Sequence, residues 1–476
     1  MNPYELSYID GNWEHVADGS PFDLIDPSTE EKFATINLCG AAEVDRAVRA
    51  ARAAFPSFSR TSKSERIELM ESIIDALTRY KGDILEASTR ELGCPKSVNT
   101  QAEAGITSFK QAILTLREYD FETTLGDNIV RREAIGVCGL ITAWNWPIHL
   151  ISTKVSAALA AGCTIVLKPS EFTPVSALVF CQALHEAGVS KGVFNLVIGD
   201  GPTVGQAICR HPDVDFVSFT GSTRAGVLIA EAAAGTVKRV AQELGGKSAN
   251  IVLPDGDLEA AARWNIVRAF TNSGQSCHAP TRVLVQRSQQ EAFLKFITAE
   301  VEKIKIGDPQ DPAITMGPVV NRAQFERIQG YIRKGIEEGA TVACGGEGRP
   351  DGLTRGYYVR PTVFADVKPG MTIEREEIFG PVICVMVYDS EEEAVRIAND
   401  TDYGLGGYVF SRNVNHGLDV ARQIRAGRVF LNGAPSNQVA PMGGYKRSGN
   451  GREMGTFGLE EYLEVKAMIG FIPSNS

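Results

Sequence analysis

Five short apolar runs, "GVCGLITAW", "TIVLKPS", "VFNLVIG", "DFVSFTG" and "KSANIVL", recur between residues 136 and 253. Four of them end at a polar or glycine-rich turn, and a stretch with helical spacing often follows. A chain with this rhythm is building an open parallel sheet covered by helices, because each crossover returns the next strand to the same direction. Ligands of such sheets bind at the carboxyl ends of the strands. A second α/β stretch is expected from about Ala249 to Gly444, with strand candidates "TRVLVQR", "PVICVMVYD", "YGLGGYVFS" and "GRVFLN". Ahead of both, Ala41–Phe55 and Lys63–Leu92 carry helical apolar spacing. Two half-polar segments, "LGDNIVRREAIG" and "LEEYLEVKAMIG", read as strands of an exposed sheet that could pair with another subunit.

The 476 residues suit two or three domains. A net charge of −10 argues against nucleic acid or an anionic membrane as the main partner. The N-terminus is polar and acidic, with no apolar core of a signal peptide. The best membrane candidate, "KVSAALAAGCTIVLKP", is too short to span a bilayer and carries lysine at both ends. A soluble cytoplasmic protein is therefore expected. Nine cysteines without regular spacing, and no CxxC, fit reduced thiols better than a disulfide framework. Six scattered histidines give no metal-site spacing.

Two glycine clusters compete for a nucleotide. "GDGPTVG", Gly199–Gly205, follows an apolar run and opens a helical stretch, and "GSTRAG", Gly221–Gly226, does the same. Turns of this kind present N–H groups to phosphate, although each alone reads equally well as a tight strand-to-helix connection. "TIVLKPSE" adds Lys168 and Glu171 at a strand end. The carboxylate could accept from both hydroxyls of a ribose and would repel a 2′-phosphate, which favours NAD over NADP. Together the three elements point to a nucleotide site.

"SGQSCHAP" places Cys277 among small polar residues, where a thiol can reach a ligand. Such a thiol becomes a nucleophile when a base or helix N–H groups assist it. Upstream, Glu243 precedes Leu244-Gly245-Gly246, a turn flexible enough to aim a carboxylate into a cleft. Asn145, in "AWNWP" at the end of an apolar run, could donate to an oxyanion. Taken singly, Asn145 reads as a turn former, Glu243 as a surface charge and Cys277 as a small core residue.

Taken together, the sequence resembles the NAD(P)-dependent aldehyde dehydrogenase superfamily. "VAQELGGKSANIVLPDGDLEAA" is similar to its glutamate motif and "FTNSGQSCHAPTRVLV" to its cysteine motif. "AWNWP", "LKPSEFTP", "VSFTGSTRAG", "EEIFGPV", "NDTDYGLGGYVFSRN" and "PMGGYKRSGNGRE" follow in family order, from "YIDGNW" to "YLEVK". The resemblance implies a Rossmann-like NAD-binding domain over 1–115 and 136–246, a catalytic domain over 247–445, and a small β oligomerisation segment over 116–135 and 446–476. It makes Cys277 the nucleophile, Glu243 the general base, and Asn145 with the Cys277 N–H the oxyanion hole. Lys154 and Glu453 match a proton-relaying pair. Lys168 and Glu171 would hold the adenosine ribose, Gly221 and Ser222 the pyrophosphate, and Gly201 and Gly205 the adenine side. Glu377 and Phe379 would position the nicotinamide end, with Ile141, Trp144 and Leu244 as further cofactor contacts. A homodimer or homotetramer is implied.

The chemistry calls for these residue types. Thiolate attack on an aldehyde produces a negative oxygen that needs preorganised donors. Loss of hydride to the cofactor leaves a thioester, which a base-activated water releases as the acid. Departures from the family pattern concern the substrate side. His278 follows the nucleophile directly, and a chain neighbour usually points away, so a pocket-lining role is expected. Met442 replaces a common aromatic, and Trp146, His149 and Leu150 should line the entrance. Two other readings stay open. A CoA-acylating enzyme would pass the acyl group to a thiol, although Glu243 argues against it. A non-catalytic protein on the same fold would bind without turnover.

Overall fold

The computed structural model describes residues 6–16 and 19–470. Part of the N-terminal stretch read for a signal, residues 1–5, lies outside the described residues, as do 17–18 and 471–476.

Two open sheets carry the chain. In the first, five parallel strands run in the spatial order Arg239–Glu243, Phe216–Thr220, Val137–Ile141, Thr164–Lys168 and Phe194–Leu196. The order reverses beside Val137–Ile141, whose two neighbours leave in opposite directions, so a crevice opens above its carboxyl end. All but Arg239–Glu243 read as apolar runs because helices cover both faces, and Val137, Cys138, Leu140, Ile165, Val166, Phe216 and Val217 are all fully buried. The second sheet orders Thr341–Cys344, Thr362–Ala365, Val382–Tyr388, Arg282–Gln286, Ala249–Val252, Gly406–Phe410 and Arg428–Leu431. All are parallel except the first, which pairs antiparallel at the edge. "KSANIVL" thus opens the second sheet rather than closing the first.

The helical expectations hold with one break. Ala41–Phe58 is one helix, but Lys63–Leu92 divides into Lys63–Arg79 and Lys81–Leu92 at Tyr80, whose ψ of 10° leaves the helical range. Tyr80 sends its hydroxyl to the Glu186 carboxylate at 2.5 Å, so a tertiary contact accompanies the kink. The two half-polar segments do pair: Leu463–Ile469 runs antiparallel to Asn128–Ala134, which continues to Glu122–Leu125 through a turn at Gly126. Leu463–Ile469 is an edge strand, with Val465 65% and Ile469 80% exposed. The start of residues 446–476 behaves differently, because Gly449–Asn450 pairs antiparallel with Arg239–Glu243 and so joins the first sheet.

Among the described residues, no helix is long and apolar enough to cross a membrane, and no three His, Cys, Asp or Glu side chains gather where they could hold a metal ion. All nine cysteines are free thiols. Cys277 and Cys344 are half-buried and the rest are buried.

Candidate active site

A cavity of about 850 Å³ opens between the two sheets. Asn145, Glu243 and Cys277 all line it, although they come from three separate stretches of chain.

The loop before Cys277 is bent by two non-glycine residues in the left-handed region, Asn272 (φ 55°) and Ser273 (φ 56°). Side chains cost energy there and persist only where neighbours over-determine them. The neighbours are present. Asn272 Nδ2 donates to the Asn145 carbonyl at 2.7 Å, and Ser273 Oγ donates to the Gly317 carbonyl at 2.7 Å. Gln275, fully buried, donates to the Asn272 carbonyl and accepts from the Val320 N–H. Asn145 Nδ2 donates to the Gln275 carbonyl at 3.1 Å. Both the backbone and the amide of Asn145 are therefore tied to the loop that carries Cys277, and one amide hydrogen remains for a ligand.

Glu243 ends the strand Arg239–Glu243, a strand the sequence reading did not identify. It is 5% exposed, and neither carboxylate oxygen has a hydrogen-bond partner. Burial, and next the Glu453 charge, hold its carboxyl well above the ordinary range. The glycines that follow serve close approach rather than the flexibility expected of them. A Cβ on Gly246 would meet the Cys277 carbonyl oxygen at 2.4 Å, and one on Gly245 would meet Glu377 Oε2 at 2.2 Å. The close approach at Gly246 brings the Glu243 and Cys277 loops against each other. Burial, then Glu377 and Glu243, push the Cys277 thiol up to about 12. Deeper, Lys154 Nζ contacts Glu453 Oε1 at 2.5 Å and Ser218 Oγ at 2.8 Å, and both ionic groups are buried.

Toward the first sheet, Gly221 and Ser222 line the cavity at the start of the helix Thr223–Ala233, whose first N–H groups lack helical partners. Thr220 Oγ1, buried on the same wall, has no partner. Gly226 lets that helix sit on Leu244, since a Cβ there would approach Leu244 Cδ2 to 2.8 Å. Glu377 accepts the Gly246 N–H at 3.0 Å, and burial raises its carboxyl to about 7. Phe379 (φ 60°) stands edge-on to Trp144 with ring centres 5.3 Å apart. Lys168, Glu171, Gly201 and Gly205 do not line this cavity but cluster at the neighbouring strand ends. Lys168 Nζ contacts Glu171 at 3.4 Å, and a Cβ on Gly205 would come within 4.0 Å of Lys168 Cδ. The Gly201–Gly205 segment is a π-helical turn running into the helix Gln206–Arg210. Ile141 lies in the apolar cluster with Val166, Val217 and Leu244, so its side chain belongs to the core.

On the substrate side, Trp146, His149, Leu150, His278 and Met442 line the cavity as expected. Contrary to expectation, however, His278 does not point away from the nucleophile: its Nδ1 lies 3.9 Å from Cys277 Sγ. Sequence reasoning also missed four residues. Gln324 donates to the Phe379 carbonyl at 2.7 Å, and Arg327, one turn on, donates to the Glu377 carbonyl at 2.8 Å. Their i, i+3 spacing was the available signal. Arg268 and Arg428 also line the cavity, and nothing in their local sequence marks them.

A thiol, an amide and an orphaned carboxylate thus converge on a crevice at the strand ends of a two-sheet α/β fold. Residues 13–468 match the aldehyde dehydrogenase family, and the chain belongs to that family. It is 50% identical to a 3-succinoylsemialdehyde-pyridine dehydrogenase of Pseudomonas sp., over 99% of each chain. It is similar to a variant of aldehyde dehydrogenase C from Pseudomonas syringae, solved with NAD+ and octanal (TM-score 0.98, 48% identity, 100% of this chain and 98% of that one). It also resembles betaine aldehyde dehydrogenase from Staphylococcus aureus, solved with NAD+ (TM-score 0.94, 35% identity, 99% and 96%).

Proposed function

We propose that the chain oxidises an aldehyde to a carboxylic acid with NAD as acceptor, through a thioester on Cys277. One observation carries this reading: Asn145, from the first sheet, is hydrogen-bonded two residues ahead of Cys277, from the second.

The residues present fit the cofactor. An unpartnered Thr220 hydroxyl and a helix N-terminus line the wall where a pyrophosphate would lie. Lys168 and Glu171 would hold the adenosine ribose beside Gly201 and Gly205. Glu377 and Phe379, clamped by Arg327 and Gln324, would hold the nicotinamide end against Trp144. When bound, NAD supplies the hydride acceptor.

The protein does the rest. The Cys277 thiol releases its proton to solvent through the open cavity, and Sγ then forms a bond to the aldehyde carbon while the carbonyl pair moves onto oxygen. The free Asn145 amide hydrogen and the Cys277 N–H receive that charge, each such donor being worth about 3–4 kcal/mol. After oxidation, Glu243 takes a proton from water, the water oxygen bonds to the acyl carbon, and the carbon–sulfur bond breaks. The buried Lys154–Glu453 pair gives the proton a route away from Glu243. Passage of the acyl group to CoA is disfavoured because Glu243 serves water. The cavity wall combines Trp146, Leu150 and Phe430 with Gln101, His149 and Arg268. It suits an aldehyde with an apolar body and an acceptor group, which lies between the substrate named for the Pseudomonas relative and the octanal held by the aldehyde dehydrogenase C variant.

Cys277→Ser should abolish NADH formation across aliphatic, aromatic and carboxylated aldehydes, with NAD still bound. Retained turnover would end the assignment, and equal efficiency with NADP would remove the role given to Glu171. We also propose a homo-oligomer built on the exposed edge Leu463–Ile469. Light scattering at micromolar protein showing only a 51.4 kDa species would exclude it.

A further inference from the structure

We infer that Arg268 locks His278 as the neutral Nδ1–H tautomer, and that this N–H donates a hydrogen bond to the Cys277 thiolate. His278 is then a catalytic donor touching the nucleophile, and Arg268 its positioning residue. The inference rests on Cys277 being the nucleophile.

The Arg268 guanidinium lies 2.6 Å from His278 Nε2. Guanidinium nitrogens only donate. Nε2 must therefore present its lone pair, and a neutral ring then carries its proton on Nδ1. That atom is 3.9 Å from Cys277 Sγ, within reach of a soft sulfur acceptor. Apo distances of this kind commonly shorten in the working complex. The Arg268 contact holds the ring, and Tyr408, donating to the His278 carbonyl at 2.6 Å, anchors the backbone beneath it. Protonating the ring would set an Nε2–H against the guanidinium, so His278 cannot collect the thiol's proton either. Burial first, then Arg268, Arg428 and His149, hold the imidazole well below its usual range, in the same direction.

The groups facing the thiol divide by sign. Glu377 and Glu243 oppose the thiolate, as does burial. On the other side stands the His278 N–H, with the Arg268 cation behind it. Arg268 makes no ion pair among the described residues, which leaves its charge available to polarise the imidazole toward sulfur.

The test is the pH dependence of Cys277 alkylation by iodoacetamide in the full-length protein, read by peptide mass spectrometry. The wild type should show one titration, that of the thiol, with no step between pH 5 and 7. His278→Ala should move that titration upward and slow labelling at pH 8 by about tenfold, one charge-assisted hydrogen bond being worth roughly that factor. Arg268→Met frees Nε2, so the ring can be protonated. Labelling at pH 6 should then rise relative to the wild type, with a new step in the imidazole range. An unchanged profile in His278→Ala, or an imidazole step already present in the wild type, would overturn the inference. Labelling that never reaches Cys277 would instead defeat the nucleophile assignment beneath it.

Discussion

Two buried glutamates show how differently this molecule treats the same side chain. Glu91, 2% exposed, accepts the Val175 N–H at 2.8 Å, the Ser176 N–H at 3.0 Å and the Ser176 hydroxyl, at the start of the helix Pro174–Glu186. Glu243, 5% exposed, has no partner on either oxygen. A buried polar group left unmade costs about 1–3 kcal/mol, and native structures rarely tolerate one without cause. Glu91 supplies acceptors that a helix end would otherwise lack. Glu243 lines the cavity, and under the proposed function its partner is the water that arrives there. The contrast is between a carboxylate that three donors satisfy and one left open to a cavity.

The largest effect should come from removing the orphan's charge. Glu243→Gln should lower steady-state turnover by about 10²–10⁴-fold, the usual worth of a general base, while a burst of NADH survives and the unfolding midpoint barely moves. Loss of the burst as well would place Glu243 before the thioester. The same residue fixes a pH limb. Its carboxyl is raised, so the base form appears only as pH climbs past the ordinary carboxylate range. Wild-type turnover should rise with pH there, and the Gln variant should lose that rise. Asn145→Ala should come next, at about 10²–10³-fold in turnover, with Cys277 still open to alkylation. If NADH formation were unaffected, the amide would be a loop tether only.

Glu91→Ala should reverse the pattern, with roughly 3 kcal/mol lost in denaturant unfolding and near-normal turnover of what remains folded. The smallest effect concerns Glu91 and pH. Burial lifts its carboxyl from 4.5 to about 8, against the pull of its three donors. A carboxyl raised by folding contributes its full stability below the unfolded value and loses it as pH rises through the folded one. Wild-type stability should therefore decline between about pH 4.5 and 8 relative to Glu91→Gln. Parallel curves for the two proteins would mean that the donors hold Glu91 ionised.

Much of this was legible in the sequence, for reasons of locality. The strand ends carrying Asn145, Lys168 and Gly221 announce themselves because each is an apolar run followed at once by its turn. Cys277 stood out because its neighbours are small and polar. The strand Arg239–Glu243 was hidden, since "RVAQE" gains its apolar company only from the Phe216–Thr220 strand beside it. The break at Tyr80 has Gly82, two residues on, as its only local signal, and it goes with a bond to distant Glu186. Arg268 and His278 lie ten residues apart, and only the fold brings the guanidinium to the imidazole.

The strand that ends in Glu243 is bordered on its outer side by chain that comes far later. Gly449–Asn450 pairs with it, the Leu244 N–H donates to the Ser448 carbonyl, and Ser448 Oγ donates to the Gly245 carbonyl. A nascent polypeptide leaving the ribosome therefore holds Glu243 on an unfinished sheet margin until residues 448–450 have emerged. Premature termination products ending before residue 448 should therefore lose steady-state turnover.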